Sequence, residues 1–191
     1  MLEKSKATDL AVGTVFKGGI TAEAANAGGV FTVQCHDKDG NLKWEAQKHN
    51  LVVNQGLQDM NAQYFKGSSY TAAWYIGLYG SGASNTPAAG DTMASHAGWT
   101  EVTSYSQSTR PAATFGTATT ANPSVQTNSA SAATFSINAT TTVGGAFLTS
   151  NNTKGGTTGI LFSAADFASP GDRSVVSGDT LSVTYTFSLA A

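Results

Sequence analysis

Apolar and polar side chains alternate at two-residue spacing through much of this chain. Ala133, Phe135 and Ile137 fall in one phase, as do Leu181, Val183, Tyr185, Phe187 and Leu189. A strand with one buried face produces this period, because successive side chains point to opposite sides of a sheet. The pattern predicts strands over about 99–105, 111–118, 132–139, 142–149, 157–163 and 180–189. The punctuation agrees: Asn151-Asn152, Gly155-Gly156, Pro170-Gly171-Asp172 and Ser177-Gly178-Asp179 are turn-forming runs. Upstream, Val30–Cys35 and Leu42–Glu45 flank Asp39-Gly40, a pair suited to a two-residue turn with positive φ, so a hairpin is expected over 30–45. Trp74–Tyr79 is a rich short strand, expected to be buried between two layers.

The period changes once. From Asn54, an N-cap residue type, Leu57, Met60, Tyr64 and Phe65 fall at i, i+3, i+7 and i+8 and predict a helix over about 54–65 with one apolar stripe. A Gly/Ser/Pro/Ala loop runs from Gly80 to about Gly98, with a helical turn expected at 92–96. Loops of that length usually carry contacts or function. Residues 1–28 hold few large apolar side chains, Phe16 and Ile20 among them, and are read as an extended arm. Such an arm is fixed only by lying on something, and a neighbouring subunit is expected, its own domain being the other reading. No fixed period repeats, which argues against a solenoid or propeller. The fold class is therefore mainly β: an antiparallel β-sandwich over 29–191 with one short helix and an N-terminal arm.

Charge sharpens this picture. Between Glu101 and Asp166 the only charged residues are Arg110 and Lys154. Over the whole chain of 191 residues, 12% are charged, against about 25% in an average domain. The net charge of −2 leaves no basic footprint for nucleic acid and no polybasic patch for lipid. The first residues are charged and then Ala/Gly/Thr-rich, so neither a secretory signal nor a transmembrane span is expected. Asn138 and Asn151 fit the glycosylation pattern only as chance matches in a Thr-rich chain. The single cysteine, Cys35, is expected to be a small core residue.

The search for chemistry points away from catalysis. Neither a nucleophile elbow nor a phosphate-binding loop occurs, and no Cys or His pair has metal-ligand spacing. Residues 37–48 fail as a calcium loop because Gly40 is fourth and Lys48 twelfth, which leaves a polar hairpin turn. His49 is read as a hydrogen-bonded histidine at a strand end. Ser95, His96 and Asp91 assemble a triad only on paper, since adjacent Ser and His rarely face each other. Acids are too few for an evident glycosidase pair. The reading is of a non-enzymatic protein without catalytic residues, cofactor or metal.

The run Trp74-Tyr-Ile-Gly-Leu, the stretch from Gly90 through Trp99 to Val102, Tyr105 and Arg110-Pro111 together resemble virion structural proteins of tailed bacteriophages. Val143–Ser150, Lys154–Phe162 and Val176–Leu189 continue the likeness, as does the hairpin and helix from Phe31 to Phe65, so it covers about 30–189. The resemblance implies a head cement or decoration protein of a short-tailed phage: a jelly-roll-like β-sandwich made in the host cytoplasm that binds the outer surface of the expanded shell. Its implied partners are the major capsid protein and further copies of itself, a dimer if it sits on a two-fold axis. Neither nucleic acid nor membrane is implied. Contacts are expected first in the arm at Phe16 and Ile20, then in the loop at Met93, His96 and Trp99. Arg110 and Lys154 are the places to look for salt-sensitive contacts to the shell. Two other readings stay open: a tail, head-fibre or baseplate component, and a module that binds host glycans through exposed aromatics.

Overall fold

The computed structural model describes residues 26–66, 73–80, 86–167 and 171–190. The arm, with Phe16 and Ile20, lies outside the described residues apart from its last three, which already belong to the first strand. The chain is mainly antiparallel β with one α-helix. In order it runs β1 (Asn26–His36), β2 (Leu42–His49), β3 (Leu51–Val52), α1 (Asn54–Lys66), β4 (Tyr75–Tyr79), β5 (Ser124–Thr127), a 3-10 turn (Ser129–Ser131), β6 (Ala133–Ser136), β7 (Thr141–Val143), β8 (Gly145–Thr149), β9 (Leu161–Asp166), β10 (Arg173–Val175) and β11 (Thr180–Ala190).

Three sheets form. The largest has the order β2-β1-β11-β5, with β6 on the same edge of β11 as β5; a second has the order β3-β9-β8-β4; β7 and β10 make a two-stranded ribbon. The first and last strands pair over their full lengths, from Asn26 opposite Ala190 to His36 opposite Thr180. Their alternation works as the sequence implies. Phe31, Val33 and Cys35 face inward opposite Tyr185, Val183 and Leu181, and all six are buried. Each buried large apolar side chain adds about 1.5–3 kcal/mol relative to exposure. Ile76, Leu78, Ala146, Leu148, Phe162 and Ala165 of the second sheet complete the same core. The two larger sheets thus close one interior between them, which is compatible with the expected sandwich. Tyr185 ties them together, its hydroxyl accepting a bond from Asn50 Nδ2 at 2.7 Å and meeting Ser163 Oγ at 3.3 Å.

Two strands meet β11 end to end along one edge, and a side chain fills the gap between them. β6 reaches Val183 and β5 starts at Thr186. Asn128, buried between them, accepts from the Tyr185 amide at 2.7 Å and donates to the Val183 carbonyl at 3.3 Å. It supplies the donor and acceptor that a continuous strand would have offered.

The second sheet is buried on both faces, which accounts for the long loop after β4. On the outer face lie Tyr79, Phe147, Leu161 and Ala164, roofed by Met93 and Trp99. The Trp99 ring sits 4.9 Å from Tyr79 and 5.2 Å from Phe147. Beneath this roof two glycine–aromatic pairs interlock. Gly77 lies opposite Phe147 and Gly145 opposite Tyr79, and a Cβ on either glycine would run into the facing ring.

Several expected elements differ. The segments 99–105 and 111–118 are not strands but single bridges: Glu101 to Tyr79, Tyr105 to Ile137, and Ala112 to Tyr75. They cover the open edge of β4, one at each end, where Leu78 O accepts from Val102 N and Pro111 O from Ile76 N. Proline has no amide hydrogen, so the second segment cannot extend a ladder through Pro111. The 142–149 strand divides at Gly144 into β7 and β8, each in a different sheet, and the 157–163 strand is shifted to 161–166. The Asp39-Gly40 turn is wider than two residues: Leu42 pairs with His36, and only Gly40 has positive φ. Asp37 organises it, its Oδ1 accepting from the amides of Asp39 and Asn41 at 2.9 Å each.

Helix α1 sits where expected, but its packing face does not. Leu57 is 41% exposed, Tyr64 84% and Phe65 80%. Gly56 is the reason: a Cβ there would strike the backbone of Phe162, so the helix lies against β9 on its glycine side. Gln55 Oε1 then accepts from the Leu161 amide at 2.9 Å, and Met60 packs on the core.

Candidate functional site

The charged and polar residues singled out from the sequence are mostly engaged inside the domain. Arg110 is 1% exposed. Its Nε donates to Glu101 Oε1 at 2.8 Å and its Nη2 to Glu101 Oε2 at 2.7 Å. Nη1 reaches the carbonyl of Asn151 (2.8 Å) and Nη2 also that of Gly156 (2.7 Å), while the guanidinium carbon lies 5.3 Å from the centre of the Phe147 ring. Glu101 also accepts from the Gly155 amide at 2.8 Å. One ion pair therefore joins three stretches of loop over the roofed face of the second sheet. Lys154 binds beside it: Nζ donates to the carbonyls of Tyr105 (2.9 Å) and Gln107 (2.7 Å) and lies 4.4 Å over the Tyr105 ring. Both cations of the neutral stretch are engaged within the domain, Arg110 by the Glu101 carboxylate and two backbone carbonyls and Lys154 by two backbone carbonyls.

The loop residues have a similar fate. Met93 and Trp99 are buried in the roof, so their side chains are interior packing and not surface contacts. His96 is half-buried, stacked on Trp99 with ring centroids 3.7 Å apart, and its Nδ1 donates to the Trp99 carbonyl at 3.0 Å. Asp91 accepts from the Trp99 indole at 3.4 Å and the Ala88 amide at 3.0 Å. Thus His96 and Asp91 serve the turn around Trp99 and are not arranged as a triad. Cys35 is a core residue, as expected; burial and then the nearby Asp179 carboxylate push its thiol up to about 11. Asp179, itself buried, accepts from Lys43 Nζ at 2.5 Å and from the Val176 amide at 2.9 Å. Among the described residues, no three His, Cys, Asp or Glu side chains come together to hold a metal, and no helix is long and apolar enough to cross a membrane.

The features that stand out at the surface were not expected there from the sequence. One is the outward side of α1, where Leu57, Tyr64 and Phe65 are exposed and the last two rings meet edge to face at 4.9 Å. The other is a groove of about 510 Å³ between α1 and the open end of the two sheets. Trp74, Phe115, Phe162, Tyr185 and Phe187 give it an aromatic lining, and Asp59, Gln63 and Gln126 line it with polar groups. The rings brace one another: Trp74 to Phe162 at 5.3 Å, Phe162 to Phe187 at 5.6 Å, Phe115 to Tyr185 at 6.1 Å. The spacing of Leu57 and Tyr64 was legible as a helical stripe, but its outward direction was not, since it depends on Gly56 meeting β9.

Such a surface can bind through apolar area and ring faces, with little charge to steer an encounter. Comparison with protein-family models, with curated proteins and with solved structures finds no match.

Proposed function

We propose that this domain is a structural component of a tailed-phage particle, a cement or decoration protein that binds the outer surface of the expanded head. The observation that carries the reading is the exposed apolar side of α1. Tyr64 and Phe65 are large rings left in solvent on a domain that otherwise buries its aromatics well. Exposed apolar clusters of this kind mark contact sites, and Tyr is enriched among the residues that dominate interface energies. The internal use of Arg110, Glu101 and Lys154 supports the same reading, because it leaves an outer face of hydroxyls and small side chains across the neutral stretch. An interface of about 1,200–2,000 Å² at each of many equivalent positions would reinforce a shell by area alone.

The test is rebinding. Purified protein is added to expanded heads lacking it, and occupancy and head stability are measured. Binding with a rise in resistance to heat or pressure is the expected result; no binding and no change in stability would sink the proposal. The double variant Tyr64→Ser/Phe65→Ser should keep domain stability within about 0.5 kcal/mol and weaken head binding by roughly 30-fold or more, as expected of hot-spot rings. Low copy number in the particle would point instead to a tail, fibre or baseplate component.

A further inference from the structure

The large sheet has one long edge that no other described strand pairs with. β2 ends the order β2-β1-β11-β5 and is bonded on one side only, to β1. The register fixes which of its backbone groups are used. Asn50 N donates to Gly29 O at 2.9 Å, and in an antiparallel pair the opposed residues exchange bonds at every second position. Lys48, Ala46 and Trp44, opposite Phe31, Val33 and Cys35, therefore turn their amides and carbonyls to β1. The far side of β1 agrees: Tyr185, also opposite Phe31, turns its amide and carbonyl away to Asn128. Glu45, Gln47 and His49 consequently point theirs outward. All three residues are exposed, and among the described residues nothing bonds to these backbone groups.

Free edges are commonly guarded by prolines, bulges or charges. Here the guards are absent or turned aside. Glu45 accepts from Gln34 Nε2 at 2.7 Å and Gln47 Nε2 donates to Thr32 Oγ1 at 3.3 Å, so both side chains lean back over β1. Lys43 reaches Asp179 at 2.5 Å. The one bulge lies at the turn end, where Leu42 faces His36 and Trp44 faces Cys35. Between Leu42 and Val53 the sequence has no proline. The exposed groups are also complementary to themselves. Antiparallel pairing about Gln47 uses all three residues: Gln47 meets Gln47 of a second copy, and Glu45 meets His49 of the second copy. That register makes about six backbone bonds and sets a carboxylate opposite an imidazole on the outer face. Pairing about Glu45 would instead oppose two carboxylates, which is unfavourable.

We propose that β2 pairs antiparallel with β2 of a second copy, joining two large sheets into one across a two-fold axis at Gln47. A contact made chiefly by one strand is smaller than the roughly 1,200–2,000 Å² of a stable complex, so the free dimer should be weak, with a Kd of about 100 μM. The surface is separate from the outward rings of α1, which remain for another partner. This inference does not depend on the phage reading.

Two measurements on the full-length chain test it. In the first, amide exchange is followed residue by residue on the unaltered protein at about 10 μM and about 1 mM, either side of that Kd. Amides of Glu45, Gln47 and His49 should exchange about threefold slower or more at the higher concentration, while those of Trp44, Ala46 and Lys48, already bonded to β1, stay the same. Exchange at the three outward amides that ignores concentration overturns the proposal. In the second, sedimentation is compared between the unaltered protein and Gln47→Pro. Proline is tolerated where a strand amide faces solvent, so the variant should fold and remain monomeric at about 1 mM. A folded Gln47→Pro that still dimerises overturns the proposal; if the variant does not fold, the exchange measurement decides. Tyr64→Ser/Phe65→Ser should dimerise like the unaltered protein, and loss of the dimer there overturns the proposal by moving the contact to α1.

Discussion

Arg110 and Glu101 meet in parallel, two nitrogens on two oxygens at 2.8 and 2.7 Å, with the arginine side chain wholly shielded from solvent. The pair is positioned by loops and not by strands, and it closes the roof above Phe147. Replacing Arg110 by Ala strands a shielded carboxylate and two carbonyls. Chemical unfolding should show a loss of about 3–5 kcal/mol. Arg110→Lys should recover little of it, because an ammonium cannot supply the planar fork. Stability of the unaltered protein should vary little with added salt, since shielded pairs are screened weakly.

Asn128 makes a second, independent prediction. Its side chain satisfies the Tyr185 amide and the Val183 carbonyl where β5 and β6 leave β11 unpaired. Asn128→Ala should cost about 1–3 kcal/mol for each group left unsatisfied. Asn128→Asp keeps the acceptor and loses the donor, so amide exchange at Tyr185 should stay slower in Asp than in Ala.

The interlocked glycines set a strict size limit on the second sheet. Gly77→Ala and Gly145→Ala each place a methyl group where Phe147 or Tyr79 already lies. Each should lower stability by about 1–3 kcal/mol or more by overpacking. Thermal unfolding of Gly77→Ala/Phe147→Leu should recover part of the loss, because the ring is the obstacle.

Stability should fall on the alkaline side. The folded protein holds the Cys35 proton up to about 11, against 9.0 for an unperturbed thiol, chiefly because burial disfavours the thiolate. Between those values the unfolded chain sheds a proton that the folded chain retains. This contribution is intact below pH 9.0 and is lost as pH rises through about 11. Tyr79, Tyr105 and Tyr185 act in the same sense at higher pH, their phenols pushed up mainly by burial. Lys43, raised chiefly by its hydrogen bond to Asp179, also acts in this direction. Urea unfolding midpoints should decline across this window, and Cys35→Ala should flatten the decline between pH 9.0 and about 11.

How far the sequence could be read depends on what fixes each element. β1, β2, β11 and α1 were legible because their side-chain period is a local property. β5 and β10 were not, since Ser124–Thr127 and Arg173–Val175 carry little apolar alternation and become strands only by lying on β11 and β7. The segments around Glu101 and Ala112 look like strands by composition, yet each meets β4 at a single bridge. Arg110 turns the chain between them into the roof. The burial of Met93 and Trp99 was not legible for a related reason: a loop rich in Gly and Ala hides how much apolar surface the sheet beneath it must cover. Nothing in the spacing of Leu57, Met60, Tyr64 and Phe65 says which way the stripe turns. Gly56 decides that, through a contact more than a hundred residues away in sequence at Phe162.

The full-length pairing of β1 with β11 has a consequence for how the chain is made. β1 leaves the ribosome well before β11, with Phe31, Val33 and Cys35 ready to face a core. Their partner strand is β11, and β5 and β6 depend on β11 as well. The large sheet therefore cannot assemble until residues 180–190 have been synthesised. Sheet closure should wait for β11 and be slow, as expected where contacts join distant parts of a chain. During that interval the hairpin of β1 and β2 presents an unpaired edge, and this is when the protein is most exposed to aggregation.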